Sequence, residues 1–182
     1  WPYMDILSLF VNKKKIIITY HADIVKKNLI YYLYFPLMIF FLYRANKIIV
    51  TSENYLSSSK ILKFFLKKVE IIPIGIKKKH KLLKIKKRFN SYKKKEYFIF
   101  IGNLRNYKGL DYLINAFSNI QANLLIVGDG KQKKYIKNII KKHKNIKLVT
   151  NIDENNKFFL LRHSQALILP SVDRREAYGI AL

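Results

Sequence analysis

Short, continuous apolar runs alternate along this chain with longer stretches of helical periodicity. The runs at residues 16–20, 48–51, 69–72, 97–101, 123–127, 146–149 and 166–169 are mostly β-branched or aliphatic, and Gly, Pro or polar residues bound them. Apolar runs without alternation suit strands covered on both faces of a sheet. Between them the spacing predicts helices over roughly 25–44, 53–65, 110–119, 132–143 and 154–163. Strands alternating with helices predict an α/β, doubly wound sheet.

The alternation breaks once. From 77 to 95, eleven of nineteen residues are Lys or Arg and none is acidic. Like-charge repulsion disfavours compact packing there, which predicts a solvated linker or surface excursion. It separates residues 1–76 from 96–182, read as pieces of two Rossmann-like domains joined by a hinge. The most apolar stretch, 29–43, is fifteen residues long, contains Pro36 and is flanked by Lys26, Lys27 and Arg44. That is short of the roughly 20 residues a bilayer span needs. A buried or interfacial helix is expected, and its aromatic content with basic flanks suits a membrane surface.

Composition narrows the classes. The 182 residues are 50% hydrophobic and 14% aromatic, enough for a sizeable core and against wholesale disorder. The absence of cysteine excludes disulfides and thiolate metal sites, and the four histidines lack metal-ligand spacing. The formal net charge of +25 comes from 36 basic residues, 30 of them Lys, against 11 acidic ones. Lys, Ile, Asn, Tyr and Phe share AT-rich codons, so the charge alone does not identify a nucleic-acid partner. A basic nucleic-acid-binding α/β module is the alternative from another class, but no RNP, KH or helix-turn-helix signature is present.

Four segments carry candidate chemistry. Residues 100–109 (FIGNLRNYKG) run from a strand through a glycine turn with two cations into a helix. Such a turn can offer backbone N–H groups and positive charge to a diphosphate, or it can be an ordinary βα turn with solvated cations. Residues 125–130 (LIVGDG) form a second strand-to-glycine turn that steric need alone could explain. Residues 169–182 (LPSVDRREAYGIAL) put Glu176 outside the carboxyl end of a strand, with helix-start amides at Gly179 and Ile180 able to hold an anionic oxygen. Glu176 could equally be an acid favoured by the helix dipole. Residues 19–23 (TYHAD) set His21 just past a strand end, where a lone histidine is more often structural than catalytic.

In order and spacing these segments resemble the GT-B glycosyltransferases, in particular the large retaining family called glycosyltransferase family 4 or group 1. The counterparts of that family's motifs read ITYHAD, IIVTSENYLSSSKIL, VEIIPIGIK, IGNLRNYKGLDYLINAF, LLIVGDG and LPSVDRREAYGIAL. The resemblance implies a GT-B type α/β fold with parts of two Rossmann-like doubly wound domains, truncated at both ends. Residues 1–76 would be acceptor-side, 77–95 a Lys-rich linker, and 96–182 the nucleotide-sugar-binding part. It implies transfer of a sugar, with retention, from a nucleotide-sugar to a hydroxyl or lipid-linked sugar acceptor, in surface polysaccharide, lipopolysaccharide or glycolipid assembly. A sugar-nucleotide epimerase on the same fold is the nearest enzymatic alternative.

Residue by residue, the resemblance implies that Arg105 and Lys108 neutralise the donor diphosphate, with Asn103 where the family often has Arg. Gly179 and Ile180 would offer amides to the phosphate. Gly128, Ile152 and Tyr178 would border the nucleobase and donor pocket. Glu176 would touch the donor sugar and His21 the transferred sugar, making these two the expected catalytic residues. No metal or other cofactor is expected. An anionic membrane surface is a further expected partner, nucleic acid is not, and the expected location is cytoplasmic, peripheral on the cytoplasmic membrane. Lys77 stands where the family usually has Asp. The family's second Glu, eight positions after Glu176, and its N-domain glycine loop have no counterpart, so the chain is expected to be a fragment that does not turn over alone.

Overall fold

The computed structural model describes Phe10 and residues 16–21, 23–24, 29–75 and 85–172. The described residues up to 75 form one compact unit and those from 85 onward a second.

In the first unit, β1 (Ile17–Thr19), α1 (Leu29–Arg44), β2 (Lys47–Val50), α2 (Glu53–Ser58), a 3-10 stretch (Leu62–Lys68) and β3 (Val69–Ile71) follow in order. The strands make a parallel sheet in the order β1-β2-β3, with Ile18 opposite Ile48 and Ile48 opposite Val69. Ile18, Ile48 and Val50 meet Met38 and Leu42 of α1 and Leu62 in one core. Residues 53–65 do not form one helix as expected. Ser52 caps α2 by accepting from the Tyr55 amide at 3.2 Å. The Ser57 and Ser58 hydroxyls then donate back to the Asn54 and Tyr55 carbonyls, at 3.0 and 2.9 Å, and Ser59 turns extended. Serine hydroxyls compete with the helix ladder in this way, which is why the α-helix stops at Ser58.

In the second unit, a 3-10 stretch (Lys87–Lys94) precedes β4 (Phe98–Ile101), α3 (Leu110–Ser118), β5 (Leu124–Val127), α4 (Lys133–Ile139), β6 (Ile146–Val149), α5 (Glu154–Arg162) and β7 (Ala166–Leu167). All pairings are parallel and the order is β6-β5-β4-β7. The chain therefore steps outward from β4 to β6 and then crosses back to the other side of β4. Phe100, Leu124 and Ile126 face α3 and α4, while Ile99, Leu125 and Val127 face α5. Both faces are covered, as the unbroken apolar runs predicted.

Residues 85–95 differ from the expected solvated linker. Phe89 and Tyr92 lie three positions apart, on one side of a 3-10 turn, and pack into the α5-side core with Tyr97. The buried Asn156 of α5 accepts from the Lys86 amide at 2.9 Å. The lysines of this stretch stay exposed, so burying Phe89 and part of Tyr92 there requires no charge to leave water.

Candidate functional site

The strand order reverses at β4, where the carboxyl ends of β4 and β7 lie side by side, the place where open α/β sheets bind ligands. Three loops close around it. After β4, Gly102 to Arg105 lead into a 3-10 turn (Asn106–Lys108), and Gly109 switches the chain into α3 in a left-handed conformation, φ 66°. A Cβ on Gly109 would lie 2.0 Å from the Pro170 carbonyl oxygen, so only glycine lets the loop after β7 approach. The Val172 amide then donates to the Tyr107 carbonyl at 3.0 Å, clipping the two loops together.

The loop after β5 joins from the other side. A Cβ on Gly128, at φ 157°, would lie 1.9 Å from the Gly102 carbonyl oxygen. The Leu104 amide donates to the Asp129 carbonyl at 2.9 Å, and the Gln132 amide to the Leu104 carbonyl at 3.1 Å. Leu104 is fully buried between these loops, and its neighbours Asn103 and Arg105 are exposed on either side of it. Lys108 is different: it is only 9% exposed, and its ammonium lies 5.4 Å from the centroid of the Tyr107 ring. A cation held this far from water feels a nearby anion through a weaker dielectric than a surface lysine does.

Asp129 is occupied structurally. The Lys133 ammonium at 2.7 Å and the Gly130 amide at 2.9 Å hold its carboxyl below the usual carboxylate range. Ile152 follows β6 at the same rim, half-buried against the α5-side core. The structure thus brings Asn103, Arg105, Lys108 and Gly128 together on adjoining loops. Glu176, Tyr178, Gly179 and Ile180 lie outside the described residues.

In the first unit His21 is exposed, one residue past Tyr20, which is buried. The Tyr20 hydroxyl and the fully buried Ser59 hydroxyl both donate to Asp23 Oδ1 at 2.9 Å. Burial, with the Asp23 charge second, pushes the Tyr20 phenol far above its ordinary value. Asp23 and Ser59 were not singled out by sequence; the pairing spans 36 positions and follows no local spacing. Leu104 was also missed, though a lone apolar residue between polar ones in a turn is a visible signal.

A cavity of about 260 Å³ lined by Tyr92, Lys95, Glu96, Asn123, Lys144 and Asn145 lies at the amino ends of β4, β5 and β6, the opposite rim. Among the described residues no three His, Asp or Glu side chains cluster as a metal site would require.

The chain matches the family model described as Glycosyl transferases group 1 over residues 83–182. It is 32% identical to D-rhamnosyltransferase WbpZ of Pseudomonas aeruginosa, the alignment covering 100% of this chain and 49% of that protein. It is 30% identical to O-antigen chain mannosyltransferase C of Escherichia coli, over 100% of this chain and 50% of that one. The chain therefore spans about half the length of the curated relatives it matches. Among solved structures, a mutant of S. aureus TarM in complex with Fondaparinux, alpha-GlcNAc-glycerol and UDP aligns with a TM-score of 0.57 at 18% identity, covering 85% of this chain and 32% of that one. That likeness is one of fold, the GT-B type.

Proposed function

The chain belongs to the glycosyl transferases group 1 family, and on that premise we propose that its second unit holds the diphosphate of a nucleotide-sugar while the sugar passes to a hydroxyl acceptor. The observation that carries this reading is the loop cluster at the crossover beside β4, where exposed Arg105 and largely buried Lys108 stand next to the start of α3. As the glycosidic bond lengthens, its electron pair moves onto the departing diphosphate. Fixed cations and helix-start amides stabilise that charge without reorganising, and losing one such donor commonly costs about 2.7–4 kcal/mol. Arg105 can follow the phosphate from solvent, whereas Lys108 supplies a cation whose position is set before the donor arrives.

The reading extends to a retaining transfer in which His21 and Glu176 meet the sugar, Gly179 and Ile180 the phosphate, and Ile152, Gly128 and Tyr178 the base. The resemblance of the motifs supports that extension. The names of the two curated relatives support a mannose-like hexose or 6-deoxyhexose, delivered to a growing surface polysaccharide. We assign the phosphate-neutralising role to Arg105 and Lys108 rather than to a bound metal, so EDTA should leave nucleotide affinity unchanged; a chelator-dependent loss would overturn that part.

Calorimetric titration of the chain with UDP and with GDP tests the site. At least one should bind, and Arg105→Ala and Lys108→Ala should each weaken it roughly ten- to a hundredfold, as removal of a charged hydrogen-bond partner does. Arg162→Ala, on an exposed turn of α5, should not. Equal affinity in all four proteins would remove the proposal.

A further inference from the structure

α1 is apolar on every face. No charged residue occurs between Leu29 and Tyr43, yet the core takes only one side of the helix: Met38 and Leu42 are buried, and Tyr34, Phe35, Ile39 and Phe41 pack around them. The opposite side carries Leu29, Leu33, Pro36, Phe40 and Tyr43, spaced four, three, four and three residues apart, and all five are exposed. Leu33 is 76% exposed and Leu29 77%. A helix hydrophobic all round normally sits in a core or in lipid. This one presents a continuous stripe that no described residue covers.

Cations flank one end of the stripe. The Lys68 ammonium donates to the Tyr43 carbonyl at 2.5 Å and stands 5.0 Å from the Tyr43 ring centroid. The Arg44 guanidinium lies 5.9 Å from the Phe40 ring centroid. The 3-10 stretch that carries Lys68 also exposes Phe64 and Leu66. From 29 to 75 there are six basic residues against two acidic ones, Glu53 and Glu70, and Glu70 is paired with Lys47.

We propose that this face of α1, with Phe64, Leu66 and Lys68, docks in the plane of an anionic phospholipid surface. The chemistry selects lipid over a protein groove. Aromatic and aliphatic groups suit the acyl boundary, and adjacent cations meet lipid phosphates. The geometry selects lying over spanning. Sixteen residues at 1.5 Å each extend about 24 Å, less than a hydrocarbon core of about 30 Å. Pro36 offers no N–H to the Tyr32 carbonyl one turn earlier. Both residues are exposed, so that oxygen needs headgroups or water, which the interface supplies and the bilayer centre does not.

The test is sedimentation of the full chain with vesicles of equimolar phosphatidylcholine and phosphatidylglycerol, beside vesicles of phosphatidylcholine alone. The chain should partition onto the anionic vesicles, less so at high salt. The double variant Leu33→Glu, Phe40→Glu should lower partitioning at least tenfold while its circular dichroism and melting stay those of the parent. The chain has no cysteine, so Leu33→Cys carries a unique spin label, which should become inaccessible to aqueous relaxants on vesicles, whereas one at Asn115→Cys should not. Undiminished binding by the double variant, or a Leu33 label that stays wet on bound protein, overturns the proposal. So does self-association lost in the double variant with no vesicle binding by the parent, which would make a second copy the occupant.

Discussion

Gly109→Ala tests the junction on which the candidate site depends. At φ 66° an L-residue pays about 1–2 kcal/mol for the left-handed conformation. The added methyl would also stand 2.0 Å from the Pro170 oxygen, so the loop after β7 must retreat. That breaks the bond from the Val172 amide to the Tyr107 carbonyl, about 0.5–1.5 kcal/mol more. The expected loss is therefore about 2–3 kcal/mol. With a urea slope of about 1–3 kcal/mol per molar, the midpoint should fall by roughly 0.7–3 M. Equilibrium unfolding followed by circular dichroism measures it, with Gly75→Ala as the control, because nothing lies within 4 Å of a Cβ there. The same variant should lose nucleoside diphosphate affinity, since the two phosphate-side loops no longer close. A midpoint within 0.2 M of the parent would refute the geometric reasoning.

Three further outcomes follow from the same contacts. At the position aligned with Lys108 in O-antigen chain mannosyltransferase C, substitution by Ala should cut turnover roughly a hundredfold or more; near-normal turnover removes Lys108 from the site. Asp23→Ala leaves the buried Tyr20 and Ser59 hydroxyls without their shared acceptor and should cost about 2 kcal/mol in urea unfolding, whereas Ser59→Ala should cost about 1; equal costs would mean that Asp23 is not the hub. Asp129 and Asp153 have lowered folded-state pKa values, from Lys133 and from the Asn156 amide respectively. Their contribution is present above the unfolded aspartate value and disappears as pH falls through the folded one. Melting temperature should thus drop on acidification below about pH 4, and Asp129→Asn with Asp153→Asn should flatten that drop; a profile unchanged by the double variant refutes the assignment.

Much of this was legible along the chain. LLIV at 124–127 reads as a strand buried on both faces, and all four residues are buried. The glycine turns at 102 and 128 mark where strands meet loops, and Arg105 and Lys108 stand out as the cations beside one of them. Other features were not legible because they depend on distant partners. The run 87–94 reads as repelling charge, but Phe89 and Tyr92 find a core face belonging to residues 97–160. The expected helix from 53 to 65 breaks because Ser57 and Ser58 bond to carbonyls of their own helix, a competition that periodicity does not register.

The order of apolar and polar residues by itself determined that this chain makes parallel strands joined by helices, because a strand with two covered faces and a helix with one leave different local patterns. It also marked the glycine turns at 102 and 128 on which the proposed phosphate site rests. Tertiary structure alone decided that the chain crosses back beside β4, that Pro170 presses on Gly109 from 61 positions away, and that Lys108 is enclosed while Arg105 is not. Burial and close approach are sums over neighbours remote in sequence, and no local pattern contains them.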